Sequence, residues 1–149
     1  MKKLLVLCVV CLMTQTMKAQ DYVDLGLPSG TLWKDKNEMG FYAEESAVRA
    51  FENQLPTKEQ FEELKNLCKW TWTGSEYKIT GPSGKSIVLP ASGYRSCDGI
   101  LYGEGSYGRY WSSTPCSQEC VFNLCFGSGG VHLNNYLRCY GFSVRLVKN

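Results

Sequence analysis

Hydrophobic residues recur at helical spacing in two short segments of the chain. The first segment runs from Ala43 to Glu52, where Ala47, Val48, Ala50 and Phe51 follow a helical period. The pattern predicts a short amphipathic helix with one side facing a core.

The second segment carries the strongest local signal for the start of a helix. Thr57 stands at the N-cap position and Gln60 follows three residues later, which is the arrangement of a capping box. We expect this helix to run to about residue 68 and to support the fold, as the first one does, without chemistry of its own. The apolar residues of its buried face are Phe61, Leu64, Leu67 and Cys68.

Alternation of period two replaces the helical pattern from Lys69 onward. Trp70 and Trp72 alternate with polar neighbours, and Tyr77 and Ile79 resume the alternation after a Gly-Ser-Glu turn. A Gly-Pro-Ser-Gly turn then leads to the apolar run 87–89. The pattern predicts three consecutive strands joined by short turns.

Further strands are predicted at both ends of the chain. Asp21 to Trp33 reads as two strands around a Pro-Ser-Gly turn, and a strand begins at Tyr110. The last predicted strand contains Phe142, Val144, Leu146 and Val147. Together with the two helices, these strands indicate an α+β fold class.

The segment Val121 to Phe126 alternates most clearly of all. Phe122, Leu124 and Phe126 fall on one face, which we expect to be buried, whereas Asn123 and Cys125 fall on the other. The run from residue 127 to residue 140 follows no regular period and is predicted to be irregular.

The first nineteen residues have the layout of a secretory signal peptide. Lys2–Lys3 precede the apolar run Leu4–Met13, and Ala19 supplies the small residue at the cleavage site. Cys8 and Cys11 raise the alternative of a lipid anchor, but large residues precede both of them. We therefore expect export in soluble form, to the cell surface or the medium.

Residues 20–149 are long enough for a single domain with a core of its own. The formal net charge is +2, and removing the signal peptide with its lysines leaves the chain close to neutral. A near-neutral domain gives no electrostatic reason to expect binding to nucleic acid or to an anionic membrane.

Four motifs, taken in order, resemble one family of exported bacterial proteins, the Fibrobacter succinogenes major paralogous domain family. The motifs are QLPTKEQFEEL, TWTGSEYKITGPSGKSIVLPASGYR, YWSSTP and GFSVRLV. The same set of motifs resembles the formylglycine-generating-enzyme branch of the C-type-lectin-like fold. The resemblance implies two helices packed on a twisted antiparallel sheet, a long loop-rich half, and paired N- and C-terminal strands.

The C-terminal stretch is similar to the variable proteins of diversity-generating retroelements. In such proteins adenines of AAC-type codons are replaced, which excludes Lys, Glu, Gln, Met and Trp, and none of these occurs from Cys120 through Phe142. The resemblance implies a non-enzymatic domain without a cofactor, which binds a protein or glycan on another cell or phage surface. The ligand-facing positions are then Cys116, Cys120, Asn123, Cys125, Gly127, Gly130, His132, Asn134, Asn135, Tyr136, Leu137, Cys139 and Tyr140.

The cysteines after the signal peptide leave several interpretations open. Cys97 and Cys139 are a candidate disulfide, since export permits disulfides. Cys116, Cys120 and Cys125 are interpreted as exposed products of codon rewriting. A metal site is not expected, because the spacing lacks the pair of closely spaced cysteines typical of structural zinc.

Two enzymatic or metal-dependent alternatives remain. A redox or formylglycine-generating-type enzyme would use Cys120, Cys125 and His132, but no carboxylate after Glu119 is left to orient the imidazole. Calcium-dependent sugar binding would need clustered acidic oxygens, which the C-terminal stretch does not offer. A structural cell-surface component is the third alternative.

Overall fold

The computed structural model describes residues 22–149 and has an α+β architecture with two helices and mostly antiparallel strands. The predicted signal peptide, residues 1–19, lies outside the described residues. Within residues 22–149, none of the helices has the length and apolar character needed to cross a bilayer.

The elements follow one another as two strands, two helices and nine further strands. The first half contains β1 (Tyr22–Asp24), β2 (Leu32–Lys34), α1 (Glu44–Phe51), a 3₁₀ turn (Glu52–Gln54), α2 (Lys58–Leu67), β3 (Lys69–Trp72), β4 (Glu76–Thr80) and β5 (Ser86–Pro90). The second half contains β6 (Tyr94–Arg95), β7 (Leu101–Tyr102), β8 (Gly108–Pro115), β9 (Cys120–Gly127), β10 (Gly130–Leu137) and β11 (Val147–Lys148).

The strands form four small sheets, whereas the family resemblance implies one twisted antiparallel sheet. Their orders are β1-β2-β11, β3-β4-β5, β6-β7 and β10-β9-β8. The two ends of the chain share the first of these sheets, but β11 pairs with β2, through Val147 opposite Trp33, and not with β1. The predicted pairing of the first and last strands is therefore corrected to a pairing through the second strand.

The predicted capping box at the start of α2 is confirmed. The Thr57 hydroxyl accepts from the Gln60 N–H at 3.1 Å, and the Gln60 side-chain oxygen accepts from the Thr57 N–H at 2.9 Å. Phe61 and Leu64 are fully buried, whereas Leu67 is 48% exposed, so the predicted apolar face is shorter than expected.

The predicted three-stranded meander is also confirmed, as β3, β4 and β5. Trp70 lies opposite Ile79, and Ile79 lies opposite Ile87. Tyr77, Ile79, Ile87 and Leu89 point into the core, while Trp70 and Trp72 are only half-buried and pack against its margin.

Two hydrophobic clusters hold these sheets and helices together. One cluster joins α2, the meander and one face of β8–β9, and it includes Phe61, Ile79 and Leu124. The other joins α1 and the segment before β11 to the opposite face, and it includes Trp111 and Phe142. The middle strand β9 therefore has a core on each side.

A buried polar network connects distant parts of the chain beneath these clusters. The guanidinium of Arg145 donates to the carbonyls of Lys34 and Val88 and to the side-chain oxygen of Asn37. Asn37 donates in turn to the hydroxyl of Tyr110. Burial lowers the pKa of Arg145 to about 10, and it raises the pKa of Tyr110.

Candidate functional site

The residues predicted to face a ligand gather on the sheet of β8, β9 and β10. β10 pairs with β9 along its whole length, from Leu137 opposite Cys120 to Gly130 opposite Gly127. β8 pairs with the other side of β9. The predicted irregular run from residue 127 to residue 140 is therefore mainly a regular strand, because pairing with β9 orders it.

Exposure divides the predicted residues into three groups. The exposed ones are His132, Asn134, Asn135, Leu137 and Cys139. The half-buried ones are Cys116, Cys120, Cys125, Gly127, Gly130, Tyr136 and Tyr140. Asn123 alone among them is fully buried, at 0% exposure.

The predicted ligand-facing position of Asn123 is therefore wrong. Val121 and Asn123 are both fully buried, whereas Phe122, expected in the core, is half-buried beneath the ammonium group of Lys58. The reason is that β9 is the middle strand of its sheet and is covered on both faces. Alternation identifies two faces, but it does not show that one of them is exposed.

Burial leaves the amide of Asn123 without hydrogen-bond partners. Neither its side-chain oxygen nor its side-chain nitrogen has a partner within residues 22–149. An unpaired buried amide is destabilising.

Two disulfides account for four of the cysteines. Cys97 is bonded to Cys139 with 4.9 Å between their Cα atoms, which ties the β6–β7 loop to the turn after β10. Cys116 is bonded to Cys120 with 5.4 Å between their Cα atoms, at the connection from β8 to β9. The expectation that Cys116 and Cys120 share no purpose is therefore wrong, while their origin in codon rewriting stays a prediction.

Cys68 and Cys125 are the free cysteines of the part of the chain that the structure describes. Cys125 lies opposite His132 on one side and Arg109 on the other. Burial raises the pKa of the Cys125 thiol, against smaller opposing effects of Arg109 and Asn134. The thiol is thus held in its protonated form, which is the less reactive one.

Arg109 on β8 is a residue that the sequence analysis missed. Its guanidinium carbon lies 4.3 Å from the ring centroids of both Tyr94 and Tyr136. Its Nε and Nη1 atoms are buried without a hydrogen-bond acceptor in the described part of the chain. A sequence signal did exist, because Arg109 precedes the buried Trp111 by two residues and so shares its face of the strand.

A pocket of about 420 Å³ opens at the β9–β10 hairpin beside Arg109. Cys125, His132 and the turn between the two strands all line it. The residues that line it are Tyr107, Gly108, Arg109, Cys125, Phe126, Gly127, Ser128, Gly129, Gly130 and His132. None of these lining residues is acidic.

Arg138, also missed, fastens the far end of the β9–β10 hairpin to α1. Its guanidinium forms an ion pair with Glu44 at 2.7 Å and donates to the carbonyls of Gln118 and Ser117. Glu44 is buried although it is charged, so this ion pair is part of the structural support of the hairpin.

Residues 22–149 contain no group of three or more cysteine, histidine or acidic side chains placed to hold a metal ion.

Residues 55–147 match the model of the family described as Domain of unknown function (DUF8237). The chain belongs to this family. No curated protein and no solved structure gives a significant match to the chain.

The DUF8237 region begins just before the capping box and ends in β11. It includes α2, the meander and the whole β8–β9–β10 sheet, but neither β1, β2 nor α1. The pocket, the disulfides and the exposed side chains of β10 therefore all lie within the part of the chain that defines the family.

Proposed function

We propose that this member of the DUF8237 family is an exported, non-enzymatic binding domain with a C-type-lectin-like fold. Its recognition surface is β10 and the turn that follows it. The ligand is a protein or glycan on another cell or on a phage. The two helices, the shared sheet of both chain ends and the C-terminal three-stranded sheet support the assignment of the fold.

The observation that carries the proposal is the position of β10 at the edge of a sheet whose middle strand is buried. His132, Asn134, Asn135 and Leu137 project from this strand into solvent. Val121 and Leu124, on the adjacent strand β9, are fully buried. These four exposed side chains can therefore change without removing the contacts that stabilise the fold, whereas Val131, Leu133 and Tyr136 of the same strand pack against the core.

The residue types on the β10 surface support a role in recognition, and the disulfides support a location outside the cell. Tyrosine and asparagine combine a rigid ring with adaptable hydrogen bonding, and both are common in protein-binding surfaces. The bond between Cys97 and Cys139 fits an oxidising compartment. We further propose that the segment is diversified by a retroelement, since its residue types fit AAC-derived codons.

The test of this function is a variant in which Asn134, Asn135 and Leu137 are replaced together by Ser, Tyr and Asn. We expect the free energy of unfolding to change by less than about 1 kcal/mol, because these side chains are exposed. We expect binding of the fluorescently labelled chain to intact target cells or phage to disappear. Retained binding by a folded variant would refute the recognition surface.

Val121→Ser is the matched control, because it changes a buried residue of the adjacent strand and should destabilise the fold by about 2 kcal/mol or more.

The proposed diversification by a retroelement has a separate test in the genome. A near-copy of the 3′ coding segment, with AAC codons at the variable positions, should lie beside a reverse-transcriptase gene.

A further inference from the structure

The pocket at the β9–β10 hairpin contains a cation for which the described residues supply no counter-charge. Arg109 makes no ion pair or side-chain hydrogen bond within residues 22–149. Its Nε and Nη1 atoms are buried without an acceptor, so Nη2 is the nitrogen that a ligand can reach. His132, a second basic group, lines the same pocket. A guanidinium that is partly removed from water and contacts only aromatic rings is further stabilised by a negatively charged partner.

No acidic side chain lines the pocket to balance the charge of Arg109. No Asp or Glu follows Glu119 in the sequence. The local charge therefore favours an anion over a neutral or cationic group.

The guanidinium is also held in place before any ligand arrives. The guanidinium carbon lies 4.3 Å from the ring centroids of both Tyr94 and Tyr136. Tyr136 is fixed in turn by Tyr140, with 5.2 Å between the ring centroids. Because the side chain is already ordered, binding an anion loses little additional conformational entropy.

The remaining walls of the pocket suit a small polar ring. Gly127, Gly129 and Gly130 leave the turn without bulky side chains, and Ser128 adds a hydroxyl. The ring of Tyr107, 52% exposed, lies at the edge and offers an apolar surface for stacking. The volume of about 420 Å³ is that of a small-ligand site and not of an extended protein interface.

We propose that this pocket binds an acidic sugar, with the carboxylate at Arg109 and the sugar ring over the Gly127–Gly130 turn. The assignment rests on the proposed binding function, because it supplies a ligand class for that surface. Arg109 lies before the variable segment, so it serves as a constant anchor beside side chains that change.

The experiment is a nuclear magnetic resonance titration of the nitrogen-15-labelled chain with sodium glucuronate at fixed ionic strength. We expect saturable shifts of the Arg109 side-chain Nε–H signal and of the amide signals of residues 127–130. Glucose, which lacks the carboxylate, should shift none of them. Arg109→Gln should weaken glucuronate binding about tenfold or more, and Arg138→Gln, outside the pocket, should not.

Gly129→Asp and Gly129→Asn give a matched pair that does not alter Arg109. A Cβ atom at Gly129 meets no atom within 4 Å, and the residue does not have a left-handed backbone, so both variants should fold. Only the aspartate places a negative charge beside the ligand. We expect Gly129→Asp to bind glucuronate about tenfold or more weakly than Gly129→Asn, which controls for the added side chain.

Equal affinity of the two Gly129 variants, or equal binding of glucose and glucuronate, would overturn the proposal. Tighter binding of N-acetylglycine than of glucuronate would also overturn it, by assigning the pocket to a protein carboxylate. Either failure leaves the three-residue test on β10 unaffected, because Asn134, Asn135 and Leu137 do not line the pocket.

Discussion

Single residues on β9 show how closely this surface is tied to the core. Asn123 lies between the buried Val121 and the half-buried Cys125, and its amide has no partner within the described residues. Its neighbour across the hairpin, Asn134, is exposed. Two asparagines that a codon-based argument treats alike therefore differ in their effect on stability.

Replacing Asn123 with leucine should stabilise the protein, because leucine has a similar shape and no unpaired polar atoms. We expect the free energy of unfolding to rise by about 1–2 kcal/mol in urea titrations. Asn134→Leu, the exposed control, should change it by less than about 0.5 kcal/mol. A loss of stability in Asn123→Leu would indicate that the amide has a hydrogen-bond partner after all.

The thiol of Cys125 should ionise only at a pH above the ordinary cysteine range, because burial raises its pKa. Absorbance at 240 nm would measure this in a chain whose Cys8, Cys11 and Cys68 are replaced by serine. The folded chain then keeps a proton that the unfolded chain loses first, so stability falls as the pH rises past the ordinary thiol pKa. Ionisation near neutral pH would instead favour the redox-enzyme alternative.

At the scale of secondary structure, the sequence predicts those elements whose start, end or turn is determined by residues close to one another in the chain. The capping box at Thr57 and the turns of the meander depend on neighbouring residues, and both are found as predicted. β10 was missed because its order comes from pairing with β9 and not from its own residue pattern. Arg109 and Arg138 were missed for a related reason, since their partners are distant in the sequence.

The two disulfides should differ in their contribution to stability, because they close loops of different length. Replacing Cys97 and Cys139 with serine opens a separation of 42 residues and should lower the free energy of unfolding by about 3–4 kcal/mol. Replacing Cys116 and Cys120 opens a separation of 4 residues and should lower it by about 2 kcal/mol. Urea titrations without reductant measure both; equal losses would contradict the expectation.

At the scale of the whole molecule, Arg145 joins segments that no sheet connects. Its three hydrogen bonds reach the carbonyl of Lys34 in β2, the carbonyl of Val88 in β5, and Asn37 between β2 and α1. The residue lies in the GFSVRLV motif, and it is 1% exposed. The arginine of that motif is thus a structural residue.

Arg145→Lys should destabilise the protein strongly, because an ammonium group cannot reach all three acceptors at once. We expect a loss of about 2–4 kcal/mol in the free energy of unfolding. Arg138→Lys makes the same change at a more exposed ion pair and should cost less than about 1 kcal/mol. Similar losses at the two positions would argue against the central role of Arg145.

The free edge of β10 links recognition to self-association. The carbonyl of Phe122 on β9 accepts a hydrogen bond from the Ser112 hydroxyl on β8, so it points away from β10. Asn135 lies opposite Phe122, and its backbone N–H and carbonyl therefore point away from β9, toward solvent. The side chain of Asn134 accepts from that outward N–H at 2.8 Å. An unpaired strand edge is a template for another chain. A substitution that removes the Asn134 acceptor is therefore expected to free this N–H for pairing with a neighbouring copy.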